Sequence, residues 1–154
     1  MIAGNFPVTD PIAALLGGWS TGLNPYSVLL RVFIIVLLAS IIGCERSSKR
    51  HSAGLRTFVL IAFSATTAML LDQFLMAGHP SGLPLLSAAT IVATAMLSGN
   101  SILFSSRGQI KGLTTSVGLW ACVLLGFAVG AGLYTVTLIV FAHARRAAGE
   151  RPFR

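Results

Sequence analysis

The sequence has few charged residues for its length. Asp, Glu, Lys and Arg make up 10% of its 154 residues, whereas a typical soluble domain carries about 25%. No charged residue lies between Asp72 and Arg107 or between Lys111 and Arg145, and each of these stretches exceeds the roughly 20 residues that cross a bilayer as a helix. This composition excludes a soluble enzyme, a secreted disulfide scaffold and a disordered tail protein, and it predicts an integral membrane protein.

The sequence also lacks the residue clusters that carry catalysis. Its two cysteines, Cys44 and Cys122, have neither CxxC nor metal-ligand spacing. The chain has no P-loop, HExxH or GxSxG motif, and its histidines and carboxylates are scattered. We therefore expect no catalytic residue, no metal site and no cofactor, and we interpret the protein as a non-enzyme.

Apolar segments predict an all-α integral membrane helical bundle with about five transmembrane segments, near 26–43, 57–76, 85–104, 113–129 and 133–146. Residues 1–25 are rich in Gly, Pro and Asn and are expected to form an extracytoplasmic segment with a short interfacial helix around Ile12–Trp19. The transmembrane domain is expected over 26–146, followed by a basic cytoplasmic tail over 147–154.

The basic residues predict the orientation of the bundle. The formal net charge is +7, and Lys and Arg cluster in the loops 44–56 and 105–111 and in the tail, whereas the loop 77–84 has none. Because cytoplasmic loops are enriched in Lys and Arg, we expect the N-terminus outside and the C-terminus in the cytoplasm. Basic residues beside apolar segments favour contact with the lipid bilayer and give no indication of nucleic-acid binding.

The stretch 112–144 allows two topologies. A single helix would give four segments and leave the arginine-rich tail outside. A helical hairpin with a turn at Gly130-Ala-Gly132 would give five segments and return the tail to the cytoplasm. The charge pattern of the other loops favours five segments.

Three polar residues within the apolar segments form a candidate intramembrane polar site: Arg31, Asp72 and Asn100. Arg31 and Asp72 lie at similar depth, about 18 and 22 Å from the inner boundary at 1.5 Å per residue. A cation or proton site around Asp72 is one interpretation. A structural ion pair between Arg31 and Asp72, or snorkelling of both, is the favoured one, because unpaired charges there are costly. For Asn100, structural and functional roles stay equally open.

Small residues recur at four-residue spacing in the second half of the chain, which allows helix backbones to approach closely. The expected packing residues are Gly112, Gly126, Gly130 and Gly132. Packing within the bundle and a homodimer face are both consistent with this spacing. Gly130 and Gly132 are also expected to adopt positive φ at the predicted turn.

Three motifs resemble the MgtC/SapB family of small bacterial membrane proteins. The stretch Gly43-Cys-Glu-Arg46 is similar to the family's G-x-E-R, and Ala53-Gly-Leu-Arg-Thr57 to its A-G-L-R-T-H. The third, Gly112-Leu-Thr-Thr-Ser-Val-Gly-Leu-Trp120, continues into the glycine-rich turn. The resemblance covers about residues 26–144, and the family-motif residues it singles out are Glu45, Arg46, Arg56, Thr57, Thr114, Thr115 and Trp120.

The sequence departs from the family pattern at three places. Phe58 replaces the histidine that follows G-L-R-T, and 83–86 keep only Pro84 of the family's D-P-x-R. The glycine-rich motif expected over 94–101 keeps only Gly99. The sequence stops ten residues after Ala144, so we expect a divergent member that consists of the membrane domain alone.

The resemblance implies a location in the bacterial plasma membrane and a role in adaptation to magnesium limitation. Two functions are open: a regulator of other membrane proteins, or a small permease or ion-translocating subunit with a polar site around Asp72 and Asn100. The partners that the resemblance implies are other membrane proteins, among them the F-type ATP synthase. The glycine spacing leaves a homodimer open as well.

Overall fold

The computed structural model describes residues 10–20, 22–48, 54–79, 83–100, 103–104 and 110–149. These residues form helices and one pair of two-residue strands, in the order α1 (Pro11–Leu16), α2 (Pro25–Ser48), α3 (Leu55–Gly78), α4 (Leu85–Asn100), β1 (Leu103–Phe104), β2 (Ile110–Lys111), α5 (Leu113–Gly130) and α6 (Tyr134–Gly149). The two strands pair antiparallel between α4 and α5. The predicted all-α membrane bundle is confirmed.

The helix boundaries follow local sequence signals. Pro11 and Pro25 are the first residues of α1 and α2, where a missing backbone N–H costs nothing. The third predicted segment was too long, because α4 ends at Asn100 and Leu103–Phe104 form β1 instead. Helix α6 extends to Gly149 and so includes the start of the predicted tail. The rest of that tail, 150–154, lies outside the described residues.

Helices α3 and α5 form the centre of the bundle. α3 packs against α2, α4 and α5, and α5 also contacts α6. Their shared core is apolar and consists of Ile35, Ala39, Ile42, Phe58, Ala62, Leu119, Cys122, Leu125 and Val129. The partly buried Val140, Phe141 and Ala144 of α6 complete it from the side.

The outward faces of the helices are apolar as well. On α2, Leu29, Phe33, Leu37 and Ile41 recur every four residues and are exposed, so they form one continuous face. Apolar surface on both the inner and the outer face of a helix is what a bilayer environment requires. Three helices, α2, α3 and α5, are long and apolar enough to cross a membrane.

The α5–α6 reversal confirms the predicted hairpin and rules out one continuous helix over 112–144. Gly132 has φ +79°, and the N–H groups of Gly132 and Leu133 donate to the carbonyls of Val129 and Ala128 at 3.0 and 2.9 Å. This is the Schellman arrangement, in which a left-handed residue ends a helix and satisfies its last carbonyls. The orientation of the bundle in the membrane stays a prediction.

Gly126 and Gly130 bring the backbones of α5 and α3 together. A Cβ at Gly126 would lie 2.6 Å from the Ala62 carbonyl oxygen, and one at Gly130 would lie 2.7 Å from Cβ of Met69. The Thr66 hydroxyl uses this proximity to donate to the Gly126 carbonyl at 3.0 Å. Both glycines therefore pack inside the bundle, and the homodimer face proposed for this spacing is already occupied.

One glycine expectation needs correction. Gly130 is the last residue of α5 and has no positive φ, so its role is close packing and only Gly132 supplies the turn geometry. Gly112 has φ +91° and precedes the first turn of α5, so it sets the entry into that helix. Its role in helix packing stays a prediction.

Candidate functional site

One end of the bundle collects the buried charged side chains of the described residues. The start of α2, the end of α3, the start of α4 and the α5–α6 turn meet there, and α1 lies against α6. We call this region the capped end and define it by three buried charged residues, Asp10, Arg31 and Asp72, which are 8%, 1% and 3% exposed.

Arg31 is bound by carbonyl oxygens from distant parts of the chain. Its Nη1 donates to the Gly130 carbonyl at 2.7 Å and to Oε1 of Gln73 at 3.2 Å. Its Nη2 donates to the carbonyls of Ser20 and Gly22 at 3.2 and 3.4 Å. Gly130 ends α5, where the carbonyls carry partial negative charge. The guanidinium therefore stabilises the end of α5 and ties it to the loop before α2.

The Ser20 carbonyl is a second meeting point beside Arg31. The Ser27 hydroxyl donates to it at 2.6 Å and the Tyr134 hydroxyl at 3.2 Å. Because Ser27 lies in the first turn of α2 and Tyr134 begins α6, this one carbonyl links the entry loop to two helices. Ser20 and Ser27 are fully buried, so these bonds are shielded from solvent.

Asp72 binds the beginning of α4. Its two carboxylate oxygens accept hydrogen bonds from the backbone N–H groups of Leu86 and Ser87, at 3.0 and 2.6 Å. These residues belong to the first turn of α4, whose N–H groups have no partner within the helix. A carboxylate at a helix N-terminus is also favoured by the helix dipole. Asp72 thus anchors α4 to α3.

The expected ion pair between Arg31 and Asp72 is wrong. Within the described residues, Asp72 accepts only from Leu86 and Ser87, and the α3 side chain that reaches Arg31 is Gln73. Successive residues of a helix point about 100° apart, so Asp72 faces α4 while Gln73 faces α2. Arg31 and Asp72 lie at similar positions along adjacent helices, but their side chains point in different directions and do not meet.

Asn100 does not join the other two predicted site residues. It is the exposed last residue of α4, whereas Asp72 binds the first turn. The helix between them, from Ser87 to Asn100, is about 20 Å long at 1.5 Å per residue. The three residues therefore do not form one site around a common centre, and a separate function for Asn100 stays a prediction.

Asp10 joins two helix beginnings, a role that the sequence did not reveal. Its carboxylate accepts from the backbone N–H of Ile12 in α1 and from the backbone N–H and hydroxyl of Thr135 in α6. Burial raises the pKa of Asp10, but the hydrogen bonds from Thr135, Ile12 and Tyr134 outweigh it and hold the pKa below its ordinary value. Asp10 lies 125 residues from Thr135, and no local motif signals such a contact.

The family-motif residues lie mainly at the opposite end of the bundle. Arg56 and Thr57 are exposed in the first turn of α3, Thr114 is exposed and Thr115 buried in α5, and Trp120 is half-buried. Glu45 is half-buried near the end of α2, where Arg46 is also helical. Within the parts of the chain that the structure describes, no three His, Cys, Asp or Glu side chains are close enough to hold a metal ion.

Comparisons with known proteins agree with the sequence motifs. The model of the MgtC family matches residues 32–145. The MgtC protein of Brucella abortus (strain 2308) is 37% identical over 97 residues, which cover 63% of this chain and 40% of that protein. The SapB protein of Bacillus subtilis (strain 168) is 32% identical over 116 residues, covering 70% of this chain and 49% of SapB.

A third relative extends the comparison. YhiD of Escherichia coli (strain K12), which is named as a candidate magnesium transporter, is 28% identical over 111 residues, covering 69% of this chain and 52% of YhiD. The chain thus spans about half the length of the curated relatives it matches. No solved structure matches it. Since the family model covers more than half of the sequence and coincides with the helical bundle, this membrane protein belongs to the MgtC family.

Proposed function

We propose that this protein is a regulatory membrane protein that binds other proteins of the bacterial plasma membrane during adaptation to magnesium limitation. Membership of the MgtC family and the similarity to YhiD support the link to magnesium. Membership alone does not distinguish a regulator from a permease, so that distinction depends on how the polar residues are used.

The observation that favours a regulator is that hydrogen bonds within the protein already engage both carboxylate oxygens of Asp72. Magnesium binds through carboxylates and other oxygen ligands in a site that leaves those oxygens accessible. Both oxygens of Asp72 already accept backbone hydrogen bonds from the first turn of α4, and Asn100 lies at the far end of that helix. A cation at Asp72 would have to displace the start of α4.

The partner surface is best sought on the outward face of α2. Tyr26, Leu29 and Phe33 are exposed there and line an apolar groove of about 840 Å³. The face formed by Gly126 and Gly130 is used inside the bundle. By family resemblance, the membrane subunits of the F-type ATP synthase are the first partner to test.

Magnesium flux into proteoliposomes separates the two functions. Purified protein is reconstituted with a magnesium-sensitive dye inside, and protein-free vesicles serve as the control. A regulator gives no flux above the control under an imposed gradient. Flux above the control from the folded wild-type protein would establish the permease instead.

Site-specific photocrosslinking tests the partner surface. A photoreactive amino acid is placed at exposed Phe33 and, as a matched control on the same helix, at buried Ile35. In cells limited for magnesium, we expect a crosslink from position 33 to a membrane protein and none from position 35. If the two positions give the same products, α2 does not present a binding face.

The proposed orientation places the capped end outside and the C-terminus in the cytoplasm, because Lys and Arg are concentrated at the other end. Labelling of intact cells with a membrane-impermeant maleimide tests it. Leu23→Cys should react, whereas the exposed native Cys44 at the opposite end of α2 should react only after lysis. The reverse pattern would invert the topology.

A further inference from the structure

The last turns of α6 carry two exposed arginines that the fold does not use. Arg145 and Arg146 are exposed, and within the part of the chain that the structure describes neither has a hydrogen-bond or carboxylate partner. This contrasts with Arg31, which is held by several carbonyls. We call the region that contains Arg145 and Arg146, together with Arg56 at the start of α3, the basic end.

A cavity of about 380 Å³ opens beside these arginines and combines two kinds of surface. It is lined by Arg145 and Arg146 on one side and by Phe141 and Ala142 on the other. The spacing places each arginine four residues after an apolar residue, so that the pairs 141/145 and 142/146 stack along one side of α6. Phe141 and Ala142 therefore lie one helical turn before the two arginines along the axis of α6.

This arrangement is complementary to an anionic phospholipid. Guanidinium groups bind phosphate oxygens through paired, charge-assisted hydrogen bonds. An acyl chain continues from the phosphate into the hydrocarbon region, in the same direction as Phe141 and Ala142 continue from the arginines.

The length of α6 makes a phosphate ligand favourable. Arg145 lies about 17 Å along α6 from Tyr134, at 1.5 Å per residue, and the hydrocarbon core is about 30 Å thick. Arginines at the end of a helix that is shorter than the hydrocarbon core must reach towards the headgroups or draw headgroups inward. A lipid phosphate held between Arg145 and Arg146 would satisfy both side chains at that depth.

We propose that Arg145, Arg146, Phe141 and Ala142 form a binding site for one anionic phospholipid, with its phosphate on the two guanidiniums and an acyl chain against Phe141. This proposal is independent of whether the protein is a regulator or a permease. It assigns a ligand to a cavity on α6 that takes no part in the helix-terminus contacts of the capped end.

Lipid binding to the full chain in detergent tests the site. Phosphatidylglycerol, phosphatidylcholine or inorganic phosphate is added, and bound lipid is measured by native mass spectrometry together with the shift in Tm. We expect phosphatidylglycerol to bind and to raise Tm, with little effect of phosphatidylcholine or free phosphate. Arg145→Gln and Arg146→Gln should each weaken phosphatidylglycerol binding by about tenfold, since each removes a charge-assisted contact.

Arg56→Gln is the matched control, because it removes one exposed arginine from the basic end outside the cavity. It should change the affinity by about twofold or less. Ala142→Asn places a polar side chain in the exposed apolar part of the cavity. It should weaken phosphatidylglycerol binding without altering the weak effect of free phosphate. Circular dichroism of each variant verifies that it is folded, and Arg145→Lys supplies a variant that retains the charge if Arg145→Gln does not fold.

Several results would overturn the proposal. Equal losses in Arg56→Gln and Arg145→Gln would indicate general attraction to the basic end. Equal binding of phosphatidylglycerol and phosphatidylcholine would show that the anionic headgroup is not recognised. If inorganic phosphate raises Tm as much as phosphatidylglycerol does, the cavity is an anion site and the acyl chain contributes nothing.

Discussion

At the capped end, Arg31 and Asp72 are buried and each is bound to the terminus of another helix, whereas at the basic end Arg145 and Arg146 are exposed and contribute no contact to the fold. Both ends carry charged side chains near the ends of apolar helices. At the capped end the charge replaces hydrogen bonds that the helices cannot supply at their own termini. At the basic end it is available to molecules outside the protein.

This difference separates folding residues from interaction residues. Asp10, Arg31 and Asp72 together hold the beginnings of α1, α4 and α6 and the end of α5. Changes there should reduce the stability of the whole bundle. Changes at the basic end should leave stability nearly constant and alter binding to lipid or protein.

The largest expected contrast is between Arg31→Ala and Arg145→Ala. Removal of Arg31 takes the charge-assisted hydrogen bond from the buried Gly130 carbonyl and the contact that ties it to Ser20. We expect a loss of about 2–4 kcal/mol in the free energy of unfolding. Arg145→Ala should stay within about 0.5 kcal/mol of the wild type, as an exposed substitution does. Denaturant unfolding in detergent, followed by tryptophan fluorescence, measures both. Similar values for the two variants would remove the distinction between the ends.

A second contrast compares two helical glycines. A Cβ at Gly126 would lie 2.6 Å from the Ala62 carbonyl oxygen, whereas one at Gly99, near the end of α4, would meet nothing within 4 Å. Gly126→Ala should therefore cost about 1–3 kcal/mol by overpacking. Gly99→Ala should stabilise by about 0.5–1 kcal/mol, because alanine is the better helix former. The same unfolding assay applies, and a neutral Gly126→Ala would mean that α3 and α5 are not in close contact.

The third prediction concerns pH and is smaller. Because the folded-state pKa of Asp10 lies below the ordinary value of 3.8, its hydrogen bonds stabilise the protein above that pH, and this contribution disappears as pH falls through the folded-state pKa. Asp10→Asn should lower Tm at about pH 6, and the gap to the wild-type Tm should narrow as pH falls below 3.8. Thermal unfolding across this range measures the difference. A constant gap between the two proteins would show that the Asp10 carboxylate has no special role.

The sequence was sufficient for the helices and for the reversal between α5 and α6. Long uncharged stretches defined the helices through their length, and Gly132 defined the reversal through its turn geometry. The hairpin turn is confirmed, but α6 has only 16 residues and is not among the helices long and apolar enough to cross a membrane. A fifth crossing and the orientation inferred from charge therefore stay predictions.

The sequence was insufficient for the contacts of the buried charges. Depth along a helix placed Arg31 and Asp72 at one level, but the direction of each side chain depends on how the helices are rotated about their axes. Their actual partners are backbone groups at helix termini. Every residue type carries such groups, so the sequence does not show which of them a charged side chain will bind. Asp10 was overlooked for the same reason, because its partner Thr135 becomes a neighbour only after the bundle has formed.

A double-mutant cycle between Arg31→Gln and Asp72→Asn is the most direct test of the central claim, that each buried charge serves a different helix terminus. Both single variants should destabilise the protein, since each leaves a helix end less well satisfied. If the claim is right, the double variant loses the sum of the two single losses to within about 0.5 kcal/mol. A coupling of about 1.5 kcal/mol or more would show that Arg31 and Asp72 act as a pair, and it would contradict the account.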